Sequence, residues 1–142
     1  MKKLMLVLTV ALFLLGLTAC GGGKYGDVKD VMTKFADAQN NFAASCENIS
    51  SADEAVAALN NFATAMEGIV PKMAAMAEKY PELKDKDNQP EELKPLMGQI
   101  EESSKKMSTA MQKLAPYQQD PKVQAAQMKL FGAMAKMGGE NQ

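Results

Sequence analysis

Apolar residues in this chain recur with the period of an α-helix, and no segment alternates with the period of a β-strand. Between residues 25 and 49, two stripes repeat every seven residues and lie side by side on one helical face. The first stripe contains Tyr25, Met32, Gln39 and Cys46, and the second contains Val28, Phe35, Phe42 and Ile49. Because a helix with such a face needs partners to cover it, the sequence predicts an all-α fold.

A second helix is predicted after residue 50. It opens at Ser51 and Glu54, which are spaced as a capping box, and it stops before Pro81. Gly68 and Pro71 lie inside it, and because proline removes a helical hydrogen bond, a kink is expected there. Its stripe contains Val56, Leu59, Phe62, Met66, either Ile69 or Val70, Met73, Met76 and Tyr80.

Two more helices are predicted in the second half of the chain. Residues 81–90 are rich in Pro, Lys and Asp and predict a solvated loop, so the third helix begins near Pro90 or Pro95. The fourth helix follows the cap Asp120 and ends at Gly138. The third stripe contains Leu93, Met97, Ile100, Ser104, Met107, Met111 and Leu114, and the fourth contains Val123, Leu130, Met134 and Met137.

Heptad-like stripes joined by short connections predict an antiparallel up-down-up-down four-helix bundle over residues 25–138, followed by a tail at 139–142. A short repeat, Asn-Asn-Phe-Ala, occurs at residues 40–43 and 60–63. We attribute this repeat to coincidence in a helical sequence of low diversity.

The beginning of the chain has the layout of an export signal. Lys2 and Lys3 precede an almost uninterrupted apolar run at residues 4–15, which is shorter than the roughly 20 residues that a membrane-spanning helix needs. The run leads into residues 17–20, Leu-Thr-Ala-Cys, and three glycines follow Cys20. An ordinary secretory signal with a cysteine near its cleavage site is the alternative interpretation.

The Leu-Thr-Ala-Cys tetrapeptide resembles the lipobox of bacterial lipoproteins. The resemblance implies that residues 1–19 are removed, that Cys20 receives a diacylglyceryl thioether, and that its new amine is a further site for a fatty acyl group such as palmitate. Two or three acyl chains anchor a protein stably, and residues 20–24 would form the lipidated cysteine with a flexible glycine tether. Since Gly21 is not aspartate, the resemblance implies the outer membrane, facing the periplasm, where the organism has one.

The composition excludes several classes of function. After removal of Lys2 and Lys3, 14 of the 16 basic residues remain against 17 acidic ones, so the exported part lacks the basic surface of a nucleic-acid-binding protein. The chain contains no histidine, which removes the usual general base and the commonest transition-metal ligand. It contains no arginine either, which removes the usual bidentate clamp for phosphate or carboxylate. We therefore expect no catalysis and no resident cofactor.

Sulfur is the remaining source of binding chemistry. Ten of the 12 methionines lie after the leader, and the pairs Met73/Met76 and Met107/Met111 have helical spacing. Thioethers are soft ligands for Cu(I), but methionine also fills cores and lines adaptable apolar grooves, and we favour core filling. With Cys20 lipidated, Cys46 is either a small buried residue, as its stripe favours, or a thiol for an intermolecular disulfide.

The chain resembles the soluble periplasmic b-type cytochromes in the lengths of its helices. It also resembles them in the charged, proline-containing loop before the third helix and in that helix's Gly-Gln-Ile-Glu-Glu segment at residues 98–102. Those are four-helix bundles that hold haem between methionine and histidine, and the resemblance implies Met32 as the axial methionine. The chain departs from the family because Lys136 or Met137 stands near the place of the histidine, and no Cys-x-x-Cys-His motif exists. The large side chains on the inward stripes, Phe35, Phe42 and Phe62, predict a core without room for haem.

These features predict a lipid-anchored, non-catalytic binding module of the cell envelope, with a protein or a small apolar molecule as its partner. Two alternatives stay open. One is a haem- or Cu(I)-binding bundle that uses methionine sulfurs, and the other is a chaperone-like binder of the periplasm.

Overall fold

The computed structural model of the chain describes residues 23–85 and 89–136. They form four α-helices, which are α1 (Gly26–Ser45), α2 (Ala52–Lys79), α3 (Lys94–Lys113) and α4 (Pro121–Ala135). Three short 3-10 turns occur at Pro81–Lys84, Glu91–Leu93 and Ala115–Tyr117. The described residues contain no strand, so the all-α prediction is confirmed. Within these same ranges, no helix is both long and apolar enough to span a bilayer.

Several predictions concern residues outside the described ranges. These are the leader over residues 1–19, the lipid acceptor Cys20, Met137, and the helix end predicted at Gly138. As far as the structure describes it, the last helix ends at Ala135.

The helix starts follow the local signals in the sequence. Ser51 Oγ accepts a hydrogen bond from the backbone N–H of Glu54 at 3.3 Å, and Glu54 Oε2 accepts one from the N–H of Ser50 at 2.8 Å. Asp120 Oδ1 accepts from the N–H of Lys122 at 2.8 Å and caps α4. These side chains satisfy backbone donors that have no partner within the first helical turn.

Helix α2 continues through Pro71 without a break. Proline cannot donate a hydrogen bond to the carbonyl of Glu67. Because Glu67, Gly68 and Pro71 are all exposed, water can reach this carbonyl. The kink expected at these residues therefore does not end the helix.

Side-chain contacts give the relative directions of the first three helices. Asp27 pairs with Lys79, which places the start of α1 beside the end of α2, so these helices are antiparallel. Lys29 and Glu92 form an ion pair at 2.8 Å near the start of α1 and before the start of α3. Lys113, at the end of α3, reaches the backbone just beyond the end of α1. Helices α1 and α3 therefore run parallel.

Helix α4 packs along α2. Lys122 and Asp53 form an ion pair at 2.9 Å, so both helices begin at the same end of the bundle. The extensive contacts between described helices join α1 to α2, α1 to α3 and α2 to α4. Of the helices that are consecutive in the chain, only α1 and α2 make extensive contacts in the described residues, whereas α3 packs on α1 and α4 packs on α2.

The main core is built from the predicted stripes. Phe42 and Phe62 pack with ring centroids 4.9 Å apart, so the Asn-Asn-Phe-Ala repeat brings its two phenylalanines into contact. Cys46 is fully buried in this core, as its stripe predicted, and burial raises the pKa of its thiol. Other fully enclosed side chains of this core include Leu59, Met66, Val70, Leu114 and Val123, whereas Leu93 is enclosed in the smaller cluster with Tyr25, Val28 and Tyr80.

A buried polar network joins α1 to α3. Gln39 is 2% exposed and Ser103 is 1% exposed. Ser103 Oγ donates to Gln39 Oε1 at 2.7 Å, and Gln39 Nε2 donates to Ser104 Oγ at 3.1 Å. Because a buried amide that loses its partners is costly, this network favours one register of α3 along α1. Ser103 and Ala110 are buried although neither belongs to the predicted stripe of α3, since small residues add little to a hydrophobic stripe.

Candidate functional site

The last helix is too short to cover the whole of α2. Helix α4 has 15 residues and α2 has 28, which correspond to lengths of about 22 Å and 42 Å at the helical rise per residue. Because both helices begin at the same end, α4 stops roughly 20 Å before the end of α2. Met73 and Met76, which are half-buried, lie on the part of α2 beyond the last described turn of α4.

A groove opens where α4 does not reach. It has a larger compartment of about 790 Å³ and a smaller one of about 160 Å³, and Val28, Met32 and Leu83 line both. Met97 lines the larger compartment, where it is 37% exposed, so this member of the predicted α3 stripe is not in the core. We call the two compartments the methionine groove. Its other lining residues are Gln89, Leu93, Lys94, Gly98, Ile100 and Glu101 in the larger compartment, and Val31, Met73, Met76, Ala77 and Lys84 in the smaller one.

One wall of the groove comes from the segment after α2, which was predicted to be a solvated loop. That prediction is wrong at Leu83, which is half-buried on a 3-10 turn and packs against a small apolar cluster that includes Tyr80. It is also wrong at Gln89, whose Nε2 donates to the carbonyls of Leu83 at 2.9 Å and Asp85 at 2.6 Å. A single leucine among charged residues has no periodic signal, so its burial could not be predicted.

The structure separates the methionine pairs that were considered as a Cu(I) site. Met73 and Met76 line the groove with Met32. Met107 instead contacts Gln39, which is seven residues or about 10 Å further along α1 than Met32, and Met111 packs against the main core. Met32, Met73 and Met76 therefore line the smaller compartment and Met32 and Met97 line the larger one, whereas the predicted set of two pairs does not share a site.

Two of the haem candidates can be placed. Met32 lines both compartments of the groove, and Lys136 directly follows the end of α4. The remaining candidate, Met137, lies outside the described residues. Within the described ranges, no group of three or more cysteine, aspartate and glutamate side chains is placed to hold a metal ion.

A second cluster closes the end of the bundle beside Gly23, and we call it the tyrosine clasp. Tyr25 OH donates to Glu82 Oε1 at 2.9 Å, and Lys24 pairs with the same carboxylate at 2.7 Å. In the same way, Tyr80 OH donates to Asp27 Oδ1 at 2.9 Å. Lys79 pairs with that carboxylate at 2.5 Å, and the two tyrosine rings lie 5.2 Å apart. The clasp therefore ties the start of α1 to the end of α2.

The two halves of the tyrosine clasp share a four-residue sequence pattern that is not part of the heptad stripes. Residues 24–27 are Lys-Tyr-Gly-Asp and residues 79–82 are Lys-Tyr-Pro-Glu, so both follow the pattern Lys-Tyr-x-acid. The lysine and tyrosine of each copy bind the acid of the other copy. The pattern can be recognised as a short repeat at two helix ends. It does not recur every seven residues, so the heptad stripes do not contain it.

The clasp carboxylates make a pH prediction possible. The hydrogen bond from Lys24 is the main cause that lowers the pKa of Glu82 from 4.5 to about 2, and the hydrogen bond from Lys79 lowers the pKa of Asp27. Because these pKa values are lower in the folded state, the stabilisation they represent is present above about pH 4.5 and is lost as the pH falls towards 2. We expect Glu82→Gln to flatten the dependence of the melting temperature on pH in this range.

The measurement is a series of thermal melts of both proteins between pH 2 and pH 7. Glu78→Gln is the matched control, because Glu78 is an exposed carboxylate in the last turn of α2 and lies outside the clasp. Its curve should follow that of the unaltered protein. Equal slopes for Glu82→Gln and the unaltered protein would show that the clasp does not contribute to acid sensitivity.

Comparisons with known proteins found no matching family model, no similar curated protein and no similar solved structure. The function is therefore inferred from the groove, the residues around it and the leader.

Proposed function

We propose that this chain is a lipid-anchored, non-catalytic binding module of the bacterial cell envelope that takes up a small apolar or amphiphilic ligand in the methionine groove. The observation that carries the proposal is the set of four methionines that line one open groove, whereas Met66, on the same stripe of α2, is fully enclosed. Methionine side chains are flexible and polarisable, and they suit a surface that adapts to its ligand.

The polar groups near the groove support binding without catalysis. Lys94 pairs with Glu91, and Glu101 pairs with Lys105 at 2.7 Å, so the two charged side chains that α3 contributes to the larger compartment already have ion-pair partners. Gln89 holds the wall segment through two backbone carbonyls. None of these side chains forms the nucleophile–base or acid–base pair that a catalytic site requires.

The anchor is tested by the mass of the protein in the membrane fraction. Cys20→Ala is expected to leave an unlipidated precursor or a misprocessed chain, because the thiol is the group that accepts the lipid. Intact mass spectrometry of the unaltered protein should show the acyl increment and the loss of residues 1–19. A mature protein whose mass has no acyl increment would overturn the anchor while leaving the groove unaffected.

The groove is tested by blocking it. We expect the unlipidated chain from Gly21 onward to bind the apolar fluorophore 1-N-phenylnaphthylamine saturably, at one site. Ala77 is half-buried and lines the smaller compartment, so Ala77→Trp should fill that space and weaken binding by about tenfold or more, which is about 1.4 kcal/mol.

Ala75→Trp is the matched control, because Ala75 is exposed two residues away on the same helix. It should bind the fluorophore with the affinity of the unaltered chain. Circular dichroism melts of both variants would show whether each one is folded. Equal binding by two folded variants would place the fluorophore elsewhere and contradict the proposal.

Cu(I) binding is a second candidate, because the thioethers of Met32, Met73 and Met76 line the same compartment. Met32→Leu separates the two candidates, since leucine keeps the apolar wall and removes one sulfur. Loss of one-to-one Cu(I) binding with unchanged binding of the fluorophore would support a metal site. The absence of stoichiometric Cu(I) binding by the unaltered chain would exclude it. Uptake of an apolar peptide in place of the fluorophore would favour a chaperone-like binder.

A further inference from the structure

We propose that the methionine groove holds an acyl chain of the lipid carried by this chain's own Cys20. This inference rests on the proposed function and names the ligand of the same groove. It follows from the position of the tether, from the length of chain between Gly23 and Cys20, and from the chemistry of the groove wall.

The tether leaves the domain next to the groove. A β-carbon on Gly23 would lie 3.1 Å from Glu92 Oε2 and 3.9 Å from Lys29 Nζ, so Gly23 lies against the ion pair that joins α1 to the segment before α3. Leu93 follows Glu92 directly and lines the larger compartment. Lys29 follows Val28, which lines both compartments. The tether therefore leaves the domain beside Lys29 and Glu92, which are the sequence neighbours of the groove-lining residues Val28 and Leu93.

The covalent distance is short. Three residue steps separate Gly23 from Cys20, and an extended chain covers at most about 10 Å in three steps. A lipid attached at Cys20 therefore starts within about 10 Å of the residues that flank the groove. A ligand on so short a linker has an effective concentration on the order of millimolar, so the groove needs little intrinsic affinity to be occupied.

The groove wall suits an aliphatic chain. Its lining residues include four methionines, three valine or isoleucine residues and two leucines, and no aromatic ring. A planar ligand would find no ring on which to stack. Among the polar side chains of the lining, the amide of Gln89 is already bonded to Leu83 and Asp85, Lys94 is paired with Glu91, and Glu101 is paired with Lys105. An unbranched acyl chain requires neither kind of contact.

The test compares two forms of the protein in the same lipid nanodiscs, made of phosphatidylethanolamine and phosphatidylglycerol. One form is the lipidated protein purified from membranes, and the other is the unlipidated chain that begins at Gly21. Methionine methyl groups labelled with carbon-13 report on the groove through Met32, Met76 and Met97. Met66, enclosed in the core, and Met128, which is 73% exposed on α4, are internal controls.

We expect the groove methyl signals to differ between the two forms and the control signals to coincide. Added palmitate should shift the groove signals of the unlipidated chain towards those of the lipidated protein. It should leave the lipidated protein unchanged, because its groove is already filled. Ala77→Trp should reduce the difference between the forms, and Ala75→Trp should preserve it.

Any other outcome would overturn the inference about the Cys20 acyl chain, and the outcomes differ in whether the proposed function also fails. If the two forms give identical groove signals and palmitate shifts them in both, the groove binds acyl chains but does not hold the acyl chain on Cys20. In that case only the proposed function would stand. A third outcome is that both forms give identical groove signals, that palmitate shifts them in neither form, and that palmitate nevertheless binds the protein in the absence of nanodiscs. This outcome would identify a bilayer lipid as the occupant of the groove. No response to palmitate under any condition would contradict acyl binding, and failure of the fluorophore to bind as well would contradict the proposed function.

Discussion

Replacing Met66 by aspartate is expected to lower the free energy of unfolding by about 4 kcal/mol or more, which is a large part of the roughly 5–15 kcal/mol that stabilises a typical domain. Met66 is fully buried in the main core, on the stripe of α2. A carboxylate at this position would lose its hydration without gaining a partner, or it would have to take up a proton. Circular dichroism during denaturant and thermal unfolding measures the effect.

Met128→Asp is the control for this prediction, because Met128 is 73% exposed and its replacement should change stability by about 0.5 kcal/mol or less. The same substitution at the two sites separates burial from any general effect of an added charge. A melting curve of Met66→Asp that matches that of the unaltered protein would show that Met66 does not belong to the core.

The second large effect is expected at the contact between Phe42 and Phe62. Both side chains are buried, and their ring planes are tilted by 30° at a centroid distance of 4.9 Å. Truncation of either one to alanine should cost about 3–5 kcal/mol, since it removes buried apolar surface and leaves a cavity. Denaturant unfolding of the single variants gives these values.

A double-mutant cycle tests whether the two rings interact directly. The double variant should be more stable than additivity predicts by about 0.5–1.5 kcal/mol, because the aromatic contact is lost only once. Phe35→Ala is a useful comparison, because Phe35 is only half-buried on the same helix and its loss should cost less. Strict additivity at Phe42 and Phe62 would mean that the rings pack against other side chains independently.

The methionines of α2 show how one residue type acquires two roles. Met66, Met73 and Met76 belong to one sequence stripe. Met66 is enclosed, whereas Met73 and Met76 lie beyond the reach of the shorter α4 and line the groove. Core filling, the interpretation favoured from the sequence, is therefore correct for Met66, whereas Met73 and Met76 are half-buried, pack against the same core and also line the groove.

The sequence by itself was sufficient for the helical class, the approximate helix boundaries and most of the core. The cap at Ser51, the first-turn proline after Asp120 and the stripe through Phe42 all act within one or two helical turns. Such signals can be recognised without the rest of the chain, because capping bonds and helical periodicity depend on residues that are neighbours in sequence.

Only the tertiary structure decided which helices lie side by side and where the groove opens. The register of α3 depends on Gln39 and Ser103, which are 64 residues apart, and the clasp joins Tyr25 to Glu82 across 57 residues. The groove results from the difference in length between α2 and α4 and from the fold-back of Leu83 onto α1. Apart from the two Lys-Tyr-x-acid segments of the clasp, no local pattern encodes these features, because each one is stabilised by contacts that exist only after distant segments have packed together.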